Sequence, residues 1–273
     1  MNTEYEGEEN RLSSDDFGFL YGLSIFETFF VDHKGQVFLL SDHIRRLYDS
    51  LVFFEIELNC PQEEFTGIVL AYIRQNKIQN KILRVAVSAG NKEKQLKPGI
   101  FFALRANSYS PEKIDQGCTL MISDHKRNET SLLVKHKTAN YMENYFIARA
   151  AIRQGFDDAV FLNTQNQVTE TTKSNLFFVK DGVLHTPNVQ CGLLPGVIRE
   201  WVIRKAASLG IDCREGYYGL AELMEADEVL ITNSVMGIMH GQKIDEKCYN
   251  DGFPGEMTAW LKKELAFARQ GAC

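Results

Sequence analysis

The chain has 273 residues, with 30 Lys plus Arg against 36 Asp plus Glu, a formal net charge of -6 and 44% apolar residues. This is an ordinary globular composition, and the length allows a sizeable core without covalent staples. The acidic balance argues against a general nucleic-acid or anionic-membrane binder, because both need a basic face, but leaves room for a small anionic ligand held by a few Lys and Arg. Cys60, Cys118, Cys191, Cys213, Cys248 and Cys273 form no C-x-x-C pair and fit neither a zinc ribbon nor a disulfide framework, so free thiols in a reducing cytoplasm are expected. No apolar run reaches the ~20 residues that span a bilayer, and the acidic start, MNTEYEGEENRLSSDD, lacks the basic, then apolar, signature of a signal peptide. A cytoplasmic location is expected.

Residues 1 to about 16 read as a flexible acidic lead-in. Ser24 to Val31 mixes aromatic and β-branched residues and reads as a strand. The turn signal His33-Lys34-Gly35-Gln36 leads to a return strand at Val37 to Leu40. Ser41-Asp42 reads as a helix cap, followed by Ile44, Leu47, Tyr48 and Leu51 at helical spacing, which predicts a helix over 42–54. Pro61 opens a second helix carrying Phe65, Ile68, Val69, Tyr72 and Ile73 on one face. Strands are predicted at Lys81–Ala89 and Gly99–Leu104, and a linker at Asn107–Gly117.

Beyond the linker the pattern predicts a strand at Cys118–Ser123 and a helix at Tyr141–Gln154. Strands follow at Ala159–Leu162, Val168–Thr169 and Asn175–Val179, with Asp181-Gly182 turning into Val183–His185. A helix starts after Pro195-Gly196 with Val197, Ile198, Trp201, Val202 and Leu209 inward. A strand at Asp227–Thr232 and a last helix from about Pro254 complete the chain. Both element types in two halves argue for a mixed α/β (α+β) fold with domains 1–111 and 112–273. No glycine-rich dinucleotide or P-loop motif follows a strand.

Four segments could carry chemistry. Lys137 stands before a helix; a lone Lys there is usually a solvated charge, but an amine desolvated or crowded by Lys135 becomes a nucleophile able to form a Schiff base. Glu170, between two apolar strands, is either a turn carboxylate or a partner for a cationic ring nitrogen. Cys191-Gly192-Leu193-Leu194-Pro195-Gly196-Val197-Ile198-Arg199 opens a helix and so points N–H groups outward, as an ordinary helix start or as a phosphate cradle, which Asn233-Ser234 would close. Arg45 and Arg46 lie about 100° apart around their helix, so at most one faces a buried anion.

Each segment is weak alone; their order is more specific. Asp16-Phe17-Gly18-Phe19-Leu20-Tyr21-Gly22 with Phe26-Glu27-Thr28, then His43-Ile44-Arg45-Arg46-Leu47, Lys137 to Tyr141, Gly155 to Ala159, Val168 to Asn175, Gly192 to Arg199 and Ala226 to Ser234 together resemble the class IV aminotransferases, the fold-type IV pyridoxal-phosphate enzymes. The resemblance covers nearly the whole chain after residue 15. It implies two domains with pyridoxal 5'-phosphate in the interdomain cleft, a small-molecule substrate and a homodimer. The six histidines form no H-x-x-x-H pair, so no metal site is expected, and the acidic balance already argues against nucleic acid or membrane partners. It implies Lys137 as the Schiff-base lysine and proton shuttle and Glu170 as the carboxylate on the pyridine nitrogen. Arg46, the backbone amides of Val197 and Ile198, and Ser234 match phosphate ligands, and Tyr141 lies near the ring hydroxyl. Phe26 and Tyr21 match substrate-pocket aromatics. Many members read Leu-Pro-Gly-Ile-Thr-Arg where this chain has Ile198, so one hydroxyl donor is lost and Ser234 and Arg46 carry more.

Within that family the short length and the Phe26-Glu27-Thr28 form look most like the 4-amino-4-deoxychorismate lyases. The strand Gly99–Leu104 lacks the Arg-x-His pair of the D-amino acid enzymes, and branched-chain members usually read Phe-Glu-Gly-Ile-Arg at Phe26–Phe30. The dianionic substrate of such a lyase needs cations, and Lys97, Arg105 and Arg127 are the candidates. The alternative is an aminotransferase acting on D-amino or branched-chain amino acids; a non-catalytic ligand-binding relative is the third reading.

Overall fold

Strand-forming and helix-forming stretches segregate into two sets of packed layers. A computed structural model describes residues 12–271, and its contacts divide the chain into two units, 1–106 with 137–140, and 107–136 with 141–273. Within the first unit lie α1 (Phe17–Leu20), β1 (Ser24–Val31), α2 (Leu40–Phe53), α3 (Gln62–Gln75), β2 (Lys81–Ser88) and β3 (Gly99–Ala106). The three strands form an antiparallel sheet in the order β1-β2-β3.

Alternation along β1 sends Ile25, Phe29 and Val31 to one face, where they join Leu83, Val85 and Val87 of β2. The amphipathic helices cover that face with Ile44, Leu47 and Leu51 of α2 and Phe65, Val69 and Ile73 of α3. Each such side chain stabilises the unit by roughly 1.5–3 kcal/mol on burial.

The second unit begins with α4 (Pro111–Gln116), β4 (Cys118–Ile122), α5 (Met142–Arg153), β5 (Asp158–Leu162), β6 (Val168–Thr171), β7 (Asn175–Lys180) and β8 (Val183–Pro187). It continues with α6 (Val197–Ser208), β9 (Cys213–Gly216), α7 (Leu220–Met224), β10 (Glu228–Asn233), β11 (Gly237–Ile244), β12 (Lys247–Cys248) and α8 (Glu256–Gly271). Among the described residues its sheet has nine strands, and pairing of β10 with both β11 and β7 closes a ring through β4, β5 and β6. β5, β7 and β10 read as near-continuous apolar runs and are buried along nearly their whole length; β6, Val-Thr-Glu-Thr, is buried too but polar. No helix among the described residues is long and apolar enough to cross a membrane.

Several expectations need correction. The return strand after the first turn is a single bridge, Val31 to Val37, because α2 begins at Leu40. Ser41-Asp42 is therefore not the cap; Leu39, at φ 56°, takes that position, and Asp42 falls in the first turn. Ser110 caps a short helix inside the expected linker. Leu209 follows the last turn of α6 and is exposed, so it does not face inward. Asp16 is no part of a flexible lead-in: it is buried, caps α1 through Gly18 N, and accepts from Ser88 Oγ at 2.9 Å. Residues 1–11 of that lead-in lie outside the described residues, as does Cys273; the other five cysteines are free thiols.

Candidate active site

Lys137 owes its place to backbone pairing. Phe26 N donates to Lys137 O and Ala139 N to Ser24 O, each at 2.8 Å, and Ile25 bridges Thr138, so 137–139 extend the outer edge of β1. This is why Lys137 groups with the first unit, whereas the expected division after residue 111 put it in the second half. Asn140 ends the segment by donating to Gly22 O at 3.0 Å. Gly22 has φ +69°, and a Cβ there would lie 2.5 Å from Asn140 Oδ1, so only glycine fits.

The Lys137 ammonium stands 4.6 Å from the centre of the Phe26 ring. The Arg84 guanidinium lies 3.5 Å over the same ring. Phe26 itself is buried. Register across the sheet places Thr28 opposite Arg84 and Ile82 opposite Arg105, so both arginines share the Phe26 face. The sequence reading missed Arg84, although its position in an alternating strand paired with β1 was the available signal. Of the three cations it named, Arg105 lies on this face and Lys97 is exposed before β3. Tyr21, at the end of α1, is 70% exposed and touches Phe17 at 5.4 Å between ring centres.

On the opposite face of β1, Glu27 is fully buried and meets α2. Arg46 Nε donates to Glu27 Oε1 and Arg46 Nη2 to Glu27 Oε2, each at 2.8 Å, while His43 Nδ1 stands 2.7 Å from Oε2. Burial would push the Glu27 carboxyl up, but the charges and hydrogen bonds of Arg46 and His43 outweigh it and hold it at about 2. Burial also pushes the His43 imidazole below its ordinary range against the pull of Glu27. The helical offset works as expected: the Arg45 side chain is 51% exposed and pairs with Asp42, whereas that of Arg46 is 11% exposed.

The second unit carries the carboxylate. Glu170 Oε1 accepts from Arg127 Nη1 at 2.8 Å, and Oε2 accepts from Asn175 Nδ2 at 3.1 Å and Leu194 N at 3.2 Å. Arg127 is therefore not a cation presented to a substrate: it is buried and its charge is engaged by Glu170. Asn175 also donates to Leu194 O at 2.7 Å, which ties the loop before α6 to Glu170. Asn175 and Gly196 pack so closely that a Cβ on Gly196 would lie 1.9 Å from Asn175 Oδ1.

Gly196 is the N-cap of α6 and supplies no side-chain bond, so Val197 and Ile198 open a helix whose first N–H groups have no side-chain cap. Ile198 is buried and its side chain carries no donor, so only its backbone N–H could serve a ligand. Ser234 follows β10, where Asn233 Oδ1 accepts from Val235 N and Met236 N, Asn233 Nδ2 reaches Ser174 Oγ at 3.1 Å, and Arg269 donates to Ser234 O. Tyr141 precedes α5 and donates its hydroxyl to Thr172 O at 3.3 Å. The structure thus brings Lys137, Phe26 and Arg84 together on one strand face and Arg46 on the other side of β1. It gathers Glu170, Asn175 and the start of α6 around one carboxylate in the second unit.

The family model for amino-transferase class IV matches residues 24–244. An aminodeoxychorismate lyase of Bacillus subtilis (strain 168) is 31% identical over 97% of this chain and 94% of its own. The solved 4-amino-4-deoxychorismate lyase of Pseudomonas aeruginosa superposes with a TM-score of 0.85 at 25% identity, covering 97% of each chain. The branched-chain amino acid aminotransferase of Escherichia coli gives 0.85 at 25% identity over 94% of this chain and 89% of its own. A further branched-chain amino acid aminotransferase of the same likeness was solved with pyridoxamine 5'-phosphate.

Proposed function

The chain belongs to the class IV aminotransferase family, and from that premise we propose that it is a pyridoxal 5'-phosphate enzyme that converts 4-amino-4-deoxychorismate to 4-aminobenzoate and pyruvate. The observation that carries the reading is the cationic face of β1, where Arg84 and Lys137 stand 3.5 and 4.6 Å from one aromatic ring. A dianionic ring substrate requires local positive charge, and a protein of net charge -6 has to concentrate it.

The residues present fit the cofactor. In the second unit, the uncapped start of α6 at Val197 and Ile198 and the Ser234 hydroxyl suit an anion such as phosphate; in the first, Arg46, whose fork is held by Glu27, is the guanidinium that the family resemblance assigns to it. Glu170 would supply the carboxylate for the ring nitrogen, and Tyr141 would stand near the ring hydroxyl. When bound, pyridoxal supplies an electron sink that acidifies the carbon bearing the substrate amine. Lys137 takes the proton from that ring carbon and returns it to the enolpyruvyl group as it leaves, giving pyruvate. Phe26 gives the substrate ring an apolar wall, and Arg84 with Arg105 meets its carboxylates.

An aminotransferase of the same family is the second reading, favoured by the Escherichia coli enzyme's equal likeness to this chain. Incubation with 4-amino-4-deoxychorismate separates them: 4-aminobenzoate supports the lyase, whereas its absence together with amine transfer from leucine or D-alanine to 2-oxoglutarate supports the aminotransferase. A homodimer belongs to the same proposal. The exposed Met142, Tyr145 and Phe146 of α5 support it, and sedimentation velocity tests it.

A further inference from the structure

We propose that Arg127 is a positioning residue for Glu170: its ion pair fixes the carboxylate's orientation and weakens it as a base, so that the proton between them stays on the ring nitrogen of a bound pyridoxal. The inference rests on the reading of Glu170 as the ring-nitrogen partner.

The geometry is that of a built support. Arg127 Nη1 meets Glu170 Oε1 at 2.8 Å with both side chains only 8% exposed. Its other edge is fixed too: Nη2 donates to Asn144 Oδ1 at 3.3 Å, and Asn144 Nδ2 donates to Thr172 O at 2.6 Å. The guanidinium lies 4.2 Å over the Phe161 ring, and the Arg127 backbone is pinned by its N–H to Leu162 O at 2.8 Å. Arg127 therefore has one orientation, set by β5, by α5 and by the loop after β6. The second carboxylate oxygen is held separately by Asn175 and Leu194, so Glu170 cannot turn about its last bond.

Stability alone does not account for this arrangement. A buried ion pair stabilises a fold no more than apolar side chains of the same volume, and often less. Here the charged pair is buried, with the guanidinium over the Phe161 ring, and leaves the Arg127 Nε without a hydrogen-bond partner among the described residues. What the pair does supply is a cation 2.8 Å from the carboxylate, which favours its ionised form. A proton shared between such a carboxylate and a pyridine nitrogen rests on the nitrogen, which is the state in which the ring withdraws electrons.

The test is spectroscopic. Wild type, Glu170→Gln, Arg127→Met and Arg127→Lys are loaded with pyridoxal 5'-phosphate, and the visible band of the lysine-bound chromophore is titrated with pH. Circular dichroism of the cofactor-free proteins checks folding. A ring that loses its nitrogen proton withdraws less, so the lysine-linked nitrogen becomes more basic. Glu170→Gln is expected to move the titration up by about one pH unit, a tenfold change in proton affinity. Arg127→Met is expected to move it the same way by a smaller amount, and Arg127→Lys, which restores the charge, to return most of that shift. If Arg127→Met does not fold, Asn144→Leu releases the second edge of the guanidinium and is expected to shift the titration in the same direction. If Glu170→Gln shifts and both Arg127→Met and Asn144→Leu titrate like wild type, the positioning proposal is overturned while the reading of Glu170 stands. If wild type forms no visible band, or Glu170→Gln titrates like wild type, the reading of Glu170 fails and the proposal falls with it.

Discussion

Arg46 grips Glu27 with two parallel hydrogen bonds of 2.8 Å, joining the first long helix to the first strand beneath the cationic face. Planar, bidentate pairing leaves the guanidinium one orientation, and Glu27, fully buried, has no access to solvent. Glu27→Gln keeps the shape and removes the charge, leaving Arg46 buried without its counter-ion. Loss of one partner of a buried pair costs about 3–5 kcal/mol, and urea unfolding of the cofactor-free protein is expected to show a loss of that order. A stability within about 0.5 kcal/mol of wild type, the range of neutral surface changes, would contradict this account.

The same pair sets an acid limit. The Glu27 carboxyl titrates at about 2 in the folded protein against an ordinary 4.5, so its contribution is fully present above pH 4.5 and is lost as the pH falls toward 2. By linkage that contribution is about 3 kcal/mol. His43 acts in the same direction: its imidazole is held below the ordinary 6.5, so the unfolded chain binds a proton first as the pH drops below 6.5. Denaturant midpoints measured from pH 8 to 3 are expected to start falling near pH 6.5 and to fall further below pH 4.5. In Glu27→Gln the lower step is expected to disappear.

Gly196 meets Asn175 where a side chain cannot fit. Gly196→Ala must push Asn175 away from Leu194 O and Glu170, at roughly the 1–3 kcal/mol of an overpacked site. A fall in thermal midpoint is expected, together with weaker retention of pyridoxal 5'-phosphate on dialysis. Normal retention would show that the start of α6 does not depend on this contact.

Arg84 was passed over in the sequence but shares the Phe26 face. Arg84→Met keeps the stem and removes the charge. It is expected to raise the KM for an anionic substrate about tenfold, the factor that corresponds to one charged hydrogen bond of roughly 1.4 kcal/mol, with a normal visible spectrum. An unchanged KM would remove Arg84 from substrate recognition.

How much the sequence disclosed depends on the range of each interaction. Ile44, Leu47 and Leu51 sit at helical spacing, and the helix they predicted is α2, shifted by two residues at its start. That shift came from Leu39, whose left-handed backbone has no local signal in a leucine. Lys137 and Glu170 stood out through their flanking motifs, whereas Arg127 stood only among the candidate cations for a substrate. Its burial depends on Glu170, 43 residues away, and on Asn144, and no spacing rule reaches across that distance. The strands β9, β11 and β12 went unread. β9 and β12 are short and exposed, and β11 carries His240, Gly241 and Gln242, which break the apolar pattern.

The most direct measurement is the reaction itself. Purified protein loaded with pyridoxal 5'-phosphate is incubated with 4-amino-4-deoxychorismate, with Lys137→Ala as the control, and 4-aminobenzoate and pyruvate are quantified together. The account predicts equal amounts of both products from wild type and neither from Lys137→Ala. No 4-aminobenzoate from a protein that transfers amine from leucine or D-alanine to 2-oxoglutarate would contradict it.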